Sequence, residues 1–158
     1  MATETTDMTQ QGVGANGKPR LTNKELNTIW LRWAFTHLAS MSYEKLQGHA
    51  YAWSYIPFAN KYYADDPEAK RRLLVRHSVF FNTEPQTGQI INGIVTSLEE
   101  NIALGGEVSE EMPNNIKATL MGPLAGIGDS IIQGIFSRVR SLNRKDVVNA
   151  CVSNDLNA

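Results

Sequence analysis

The chain has 158 residues, a formal net charge of −1 and one cysteine, Cys151. Its length is typical of one domain with a buried core. The small net charge provides no global field toward nucleic acid, so no nucleic-acid partner is expected. A single cysteine excludes an internal disulfide and a cysteine-based zinc site. The sequence predicts neither a secretory leader nor an ordinary transmembrane helix, because its start is polar and no run of about 18 apolar residues occurs.

Near residue 21 the sequence changes from a polar segment to one with apolar residues at helical spacing. Residues 1–20 are rich in Thr, Gln and Gly, and they predict a disordered tail because they offer little surface to bury. Thr22 and Glu25 form a capping box that begins a helix. One face of this helix carries apolar residues and a histidine at spacings of three and four: Leu26, Ile29, Trp30, Trp33, His37, Leu38 and Met41. Two tryptophans on that face fit either a soluble core or a membrane interface.

Two further helices are predicted before residue 85. The aromatic-rich residues 43–56 favour a second helix, which Pro57 ends or kinks. Asp65 and Asp66 precede Pro67 and mark the start of a third helix, because proline is favoured at the first helical position. This helix is expected to extend to about Phe81, with residues 82–85 forming a turn.

The remaining elements complete an all-α prediction. A fourth helix carries the apolar stripe Ile91, Ile94, Val95, Leu98 and Ile102, and Gly105–Gly106 breaks it. Ser109 caps a short fifth helix through Leu120, which Pro113 shortens. No segment has sustained strand alternation.

The decapeptide 121–130, Met-Gly-Pro-Leu-Ala-Gly-Ile-Gly-Asp-Ser, follows the fifth helix. Glycine and proline are both costly inside a helix, so this composition predicts a broken helix or a tight connection between two helices. The segment lacks the ending of a phosphate-binding loop. Gly122 and Gly126 have the Gly-x-x-x-Gly spacing of close helix packing, which is weak evidence as a single instance. Pro123, Gly126 and Gly128 favour irregular backbone, and Asp129 offers a cap for a following half-helix.

Three segments together resemble the IID component of the mannose/fructose/sorbose-type sugar phosphotransferase system. They are residues 42–48, residues 77–85 and the decapeptide, in this order and at this spacing. The resemblance covers residues 21–135, which it identifies as a IID-like helical domain. It implies a membrane-associated bundle of amphipathic helices with a Gly/Pro-broken segment, because irregular backbone at membrane depth is tolerated where protein buries it or it lines a cavity.

The resemblance implies a transport subunit without catalytic chemistry of its own. In this family IID and the IIC membrane subunit together form the path for a hexose, and the IIB component phosphorylates the sugar with phosphate relayed through IIA. The implied location is the bacterial inner membrane, in contact with the lipid bilayer, and homo-oligomerisation within the complex is expected. No cofactor, no metal site and no phosphorylated residue are expected, and His77 is interpreted as a packing histidine beside Phe80 and Phe81.

The candidate site residues lie in the first two segments. Glu44 and Gln47 stand three residues apart on the predicted second helix, where they would share a face. With the ring of Tyr43 or Trp53 they offer the polar groups and aromatic surface that suit a sugar, or a contact with IIC. The alternative is a solvated helix face. Asn82 and Thr83 fit local capping bonds, and whether they also contribute to a subunit interface stays open.

The end of the sequence departs from the family pattern. Family members continue beyond this point into long apolar segments, whereas residues 136–158 form an atypical basic tail with Arg138, Arg140, Arg144 and Lys145. The expectation is an N-terminal fragment of a IID chain whose tail is out-of-frame or artificial sequence. A natural basic tail that binds anionic lipid is the alternative. A second functional hypothesis is a peripheral helical interaction module or a non-functional remnant.

Overall fold

The computed structural model describes residues 12–135, 138, 140 and 141. These residues form six α-helices followed by a short π-helix. The helices are α1 (Asn23–Thr36), α2 (Gly48–Ser54), α3 (Ile56–Tyr62), α4 (Pro67–His77), α5 (Gly88–Ala103) and α6 (Met112–Gly128), and the π-helix is Asp129–Gln133. The all-α prediction is confirmed. Within the described residues, no helix has both the length and the apolar character needed to cross a membrane.

The helices enclose a core that is dominated by aromatic rings. Helix α1 packs on α2, α3 and α5, α4 packs on α2 and α3, and α5 packs on α6. The largest fully buried apolar side chains are Trp33, Tyr51, Tyr55, Phe58 and Phe81. Their rings contact one another edge-on, tilted or stacked, and such aromatic pairs add to the free energy gained from burial.

Helix α1 begins where the sequence predicts and ends earlier. The Thr22 hydroxyl accepts the backbone N–H of Glu25, and the Glu25 carboxylate accepts that of Thr22, so the capping box is formed. The helix ends at Thr36 rather than near Met41. Ile29 and Trp33 form its buried face, whereas Leu38 and Met41, beyond the helix end, are exposed.

The helix predicted over residues 43–56 is wrong at both ends. Helix α2 begins at Gly48, because residues 42–46 form a turn in which Leu46 has a positive φ of 46°. Pro57 lies in the first turn of α3 and does not terminate a helix there. Proline fits this place because the first helical N–H groups have no intrahelical partner.

Helix α4 begins where the sequence predicts, and helix α5 ends where the sequence predicts. The Asp66 side chain accepts the backbone N–H of Ala69 and caps α4. Helix α4 ends at His77, four residues before Phe81. Helix α5 buries Ile91 and Val95 and ends just before Gly105, whose φ of 81° suits glycine.

Residues 12–20, the described part of the predicted tail, make hydrogen bonds to helix ends. The Asn16 side chain donates to the Ala103 carbonyl at 2.7 Å, and the Asn16 N–H donates to the Leu104 carbonyl. The Lys18 ammonium donates to the Tyr62 carbonyl at 2.7 Å. These groups satisfy carbonyls at the ends of α5 and α3. The segment is therefore held by polar bonds to helix ends and not by burial of its own side chains.

The decapeptide does not form the turn or interruption that its composition predicts. Helix α6 continues through Gly122, Pro123 and Gly126 as far as Gly128, and Asp129 begins the π-helix. Pro123 is exposed, so its ring lies away from the core. Leu120, Met121 and Leu124 on the other side of the helix pack against the core. Tertiary packing thus overrides the low helix propensity of glycine and proline, and the only departure from regular α-helix in the described part of the segment is the change to π geometry.

Two earlier expectations fall mainly outside the described residues. The basic tail of residues 136–158 is described only at Arg138, Arg140 and Ser141, which are exposed. Cys151 also lies outside the described part of the chain.

Candidate functional site

Two of the three segments that carry the family resemblance contact the third, which forms most of the loop of residues 78–87 between α4 and α5. Gln47 joins the first segment to this loop by a pair of amide hydrogen bonds. Its Nε2 donates to the Thr83 carbonyl at 2.9 Å, and its Oε1 accepts the Thr83 N–H at 3.1 Å. Both residues are buried. A glutamine that satisfies both backbone groups of one residue fixes the loop at that point.

Backbone contacts continue this attachment around Gly48. The Gln47 N–H donates to the Phe81 carbonyl at 2.9 Å, and Leu46 forms an isolated parallel bridge with Phe81. A Cβ atom on Gly48 would overlap the carbonyl oxygen of Val79. Only glycine therefore permits this approach of α2 to the loop.

The decapeptide reaches the same loop from the other side. Glu84 is buried, and its Oε2 accepts the backbone N–H groups of Gln86 and Thr87 at 2.8 and 2.9 Å. The Thr87 hydroxyl donates to the Leu124 carbonyl of α6 at 2.9 Å. A Cβ atom on Gly128 would lie 2.6 Å from Glu84 Cβ, so this glycine allows α6 to contact the loop.

The structure places the first group of predicted site residues in two different environments. Gln47 and Thr83 are brought together and buried, and Asn82 is exposed beside them. Glu44 and Tyr43 are exposed on the turn that precedes α2. The prediction that Glu44 and Gln47 share a helical face is therefore wrong, because neither residue lies inside a helix and the left-handed backbone at Leu46 separates them.

The decapeptide residues also divide into two groups. Gly128 is buried against the loop, whereas Gly122, Pro123, Gly126 and Asp129 are exposed. Cβ atoms added to Gly122 and Gly126 would meet no atom within 4 Å. Within the described residues, Gly128 alone among these glycines is required for close packing.

Next to the loop, a buried cluster of ionisable side chains connects α4, α5 and α6. The Glu99 carboxylate accepts Nε and Nη2 of Arg76 at 2.9 and 2.8 Å, and His77 Nε2 lies 2.9 Å from Glu99 Oε1. On the other side of the imidazole, Lys117 Nζ lies 3.3 Å from His77 Nδ1. The Tyr55 ring stacks on the imidazole at 4.3 Å, and the Lys117 ammonium lies 4.8 Å from the centre of the Tyr51 ring.

Burial decides the protonation of this cluster. It lowers the pKa of His77 to about 4 and that of Lys117 to about 7, because both side chains lose hydration. Burial alone would raise the pKa of Glu99, yet the contacts with His77 and Arg76 outweigh it and the pKa of Glu99 is lowered. A neutral imidazole that accepts from Lys117 at Nδ1 carries its proton on Nε2. Nε2 lies 2.9 Å from Glu99 Oε1 but does not have the geometry of a hydrogen bond to it. His77 thus lies between a cation and a carboxylate within the core.

The residues around His77 extend what the sequence predicts. His77 is a buried packing histidine, as expected, but its partners Arg76, Glu99 and Lys117 were not identified. One signal was available for Glu99, because it continues the spacing of four from Ile91 and Val95 and so falls on the buried face of α5. No comparable pattern singles out Lys117. Through these contacts the cluster positions α6 against α4 and α5.

The described residues thus form a packed all-helical unit in which three segments distant in sequence meet around one loop. Residues 20–141 match the family described as PTS system mannose/fructose/sorbose family IID component. The chain belongs to this family.

Individual relatives agree with the family assignment. The chain is 36% identical over 115 residues to the mannose-specific EIID component of Escherichia coli K12. The matched region covers 73% of this chain and 40% of the relative. It is 37% identical over 116 residues to the fructose permease IID component of Bacillus subtilis, with 73% and 41% covered. The sorbose-specific EIID component of Klebsiella pneumoniae is 34% identical over 118 residues. The matched region thus spans about 40% of the length of the first two relatives.

Solved structures have the same fold. A chain from the cryo-EM structure of the mannose transporter ManYZ in complex with microcin E492 superposes with a TM-score of 0.76 at 32% identity, covering 83% of this chain and 47% of that chain. A second structure, described as a membrane protein, has a TM-score of 0.65 at 36% identity and covers 72% of this chain and 41% of that chain.

Proposed function

We propose that this chain acts as the IID membrane subunit of a sugar phosphotransferase permease. Together with IIC it takes part in translocating a hexose of the mannose, fructose and sorbose class. The sugar is phosphorylated by IIB, which receives phosphate through IIA, so this chain carries no phosphoryl group itself. The proposed location is the bacterial inner membrane, within an oligomeric complex in contact with lipid.

The observation that carries this proposal is the convergence of the three family segments on one loop. Gln47 and Gly128 belong to segments about eighty residues apart in sequence, yet they contact neighbouring loop residues, Thr83 and Glu84. The close approaches depend on glycines that lie inside the family segments. These contacts hold the three segments together around the loop of residues 78–87, and assembly with IIC would depend on that arrangement.

The proposed IID-like domain is residues 21–135, and its exposed edge is the proposed contact with IIC or the sugar. Glu44, Tyr43 and Asn82 lie at this edge and are exposed. Gln47 and Thr83 lie beneath them and would act by holding the edge in position. The exposed decapeptide residues Gly122, Pro123, Gly126 and Asp129 would contribute a second part of the interface.

The test is co-expression with the IIC, IIA and IIB components of a mannose-type system in a strain that lacks its own IID. We expect this chain to co-purify with IIC from detergent-extracted membranes and to be needed for phosphoenolpyruvate-dependent sugar uptake. Glu44→Ala is expected to reduce uptake without reducing the amount of chain. Glu111→Ala, an exposed carboxylate before α6, is the matched control and should have no effect.

Two results would contradict two separate parts of the proposal, the transport role and the site. Recovery of this chain without IIC, as a soluble monomer, would favour the peripheral helical module or the non-functional remnant. Normal uptake with Glu44→Ala would remove Glu44 from the site and leave the transport role intact.

A further inference from the structure

Helix α6 contains a single charged residue, Lys117, and buries it in the core. Lys117 is 2% exposed, and lysine is almost never buried so completely unless it is paired. Its Nζ lies 3.3 Å from His77 Nδ1 and 3.4 Å from the Arg76 carbonyl. Among the described residues, no carboxylate oxygen lies within ion-pair distance of this Nζ. Neutral groups therefore supply both of its hydrogen bonds.

The carboxylates near Lys117 are bound by another cation. Glu99 of α5 accepts two hydrogen bonds from the guanidinium of Arg76, and Glu110 contacts the same guanidinium from the more exposed side. Neither carboxylate contacts Lys117. The ionisable side chains around Lys117, from α2, its C-cap, α4, α5 and the turn before α6, are Tyr51, Tyr55, Arg76, His77, Glu99 and Glu110.

This environment suits a neutral amine better than an ammonium. A neutral amine has two N–H groups, and His77 Nδ1 and the Arg76 carbonyl can accept both. An ammonium has a third N–H and a charge, and the described group that faces this charge is the Tyr51 ring, 4.8 Å away. Loss of hydration lowers the pKa of Lys117 to about 7, against the attraction of the more distant Glu99 carboxylate.

We propose that Lys117 makes the attachment of α6 sensitive to protons: the neutral amine lets α6 pack closely, and protonation weakens its contact with α4 and α5. A protonated side chain gains hydration when α6 moves outward, and a neutral amine gains less. The change would reach the loop of residues 78–87, because α6 contacts this loop through Gly128 and through the Leu124 carbonyl, which accepts the Thr87 hydroxyl. The effect lies within this chain and requires neither a sugar nor IIC.

The direction of the pH dependence follows from proton binding. An amine detached from the core has the ordinary lysine pKa of 10.5, so between pH 7 and 10.5 the detached state binds more protons than the packed state. The attachment of α6 should therefore strengthen as the pH is raised from 7. His77, with a pKa of about 4, is neutral throughout this range. Burial raises the pKa of Tyr51 and of Tyr55, so their phenols stay protonated as well.

Hydrogen–deuterium exchange of the purified full chain at pH 7 and pH 9, followed by mass spectrometry, tests this proposal. Protection factors are compared between peptides of α6 and of α1. In the wild-type chain we expect α6 protection to be about tenfold or more higher at pH 9 than at pH 7, with a smaller change in α1. Lys117→Met keeps an unbranched side chain of similar length without an ionisable group, so its α6 protection should change by less than about twofold. Lys24→Met replaces an exposed lysine of α1 and should keep the wild-type response.

Three results would overturn the proposal. They are equal α6 protection at the two pH values in the wild-type chain, an unchanged pH response in Lys117→Met, and a response of equal size in α1 and α6. The last result would mean that protonation acts on the whole fold and not on the attachment of α6. If circular dichroism shows that Lys117→Met is unfolded, Lys117→Gln gives the same comparison with a neutral polar side chain. None of these measurements involves IIC, so the proposed transport role is tested separately.

Discussion

Replacing Glu99 by glutamine removes the negative charge from the centre of the buried cluster while preserving the shape of the side chain. The carboxylate has no exposed surface and accepts two hydrogen bonds from Arg76 at 2.9 and 2.8 Å. An amide has one acceptor oxygen, and its NH₂ group would face the guanidinium donors. The substitution therefore leaves the Arg76 charge partly uncompensated inside the protein.

The expected cost follows from that geometry. Removing one member of a buried ion pair costs about 3–5 kcal/mol. Arg76 keeps a second partner, Glu110, at 2.8 Å, so we expect a loss near the lower limit, about 3 kcal/mol in the free energy of unfolding. For domains of this size 1 kcal/mol shifts Tm by about 2–8 °C, which predicts a decrease of at least about 6 °C.

Glu110→Gln provides the matched control for this prediction. Glu110 binds the same guanidinium at the same 2.8 Å, but its side chain is 55% exposed. An exposed pair contributes less than about 1 kcal/mol because water and salt screen it. Urea unfolding of the purified chain, followed by far-UV circular dichroism, measures both variants. Equal losses for Glu99→Gln and Glu110→Gln would refute the conclusion that burial gives the Glu99 contact its importance.

Three further predictions concern the loop and the cluster. Gly128→Ala should lower the urea midpoint, because its Cβ would lie 2.6 Å from that of Glu84. Gly126→Ala should maintain or raise the midpoint, since nothing lies within 4 Å of its Cβ and alanine favours the helix by up to about 1 kcal/mol. The reverse order of the two midpoints would contradict the assigned packing. Gln47→Ala should leave both backbone groups of Thr83 unpaired and lower the free energy of unfolding by about 1–3 kcal/mol, measured by the same urea unfolding. A smaller loss than that of an exposed control such as Glu111→Ala would be inconsistent with the burial of the Gln47 amide. The free energy of unfolding should fall as the pH is lowered from 6.5 to 4. His77 has a pKa of about 4 in the folded chain, so the unfolded chain binds more protons in that window. The pKa of Glu99 is lowered in the folded chain, so the loss continues below 4.5, the ordinary pKa of a glutamate. Thermal unfolding at several pH values checks this slope, and a flat profile in the wild-type chain would contradict it.

Features that depend on neighbours in sequence were predictable. The capping box of Thr22 and Glu25 and the Asp66 cap each act within three residues, so local residue types were sufficient to locate them. The fold class followed from helical spacing for the same reason. The contacts of Asn16 and Lys18 were not predictable, because their partners are carbonyls at the ends of α5 and α3, distant in sequence.

Features that depend on tertiary contacts were not predictable from the local pattern. The turn before α2 requires a positive φ at Leu46, a residue type that gives no signal for it. Pro123 lies within a continuous helix because packing on one side of α6 outweighs local propensity. The pairing of Gln47 with Thr83 spans 36 residues, and that of Lys117 with His77 spans 40. The sequence marked Gln47, Thr83 and Gly128 as candidates, but it could not indicate that they meet around one loop.

The most direct test of the account is co-purification of this chain with the IIC subunit. An affinity-tagged copy of the full chain is expressed with IIC of a mannose-type system, and the detergent-extracted membranes are passed over the affinity resin. We expect IIC to be retained with the wild-type chain and with the control variant Glu111→Ala. Retention of the tagged chain without IIC, when the chain is folded by circular dichroism, would contradict the assignment of this protein as a subunit of the permease.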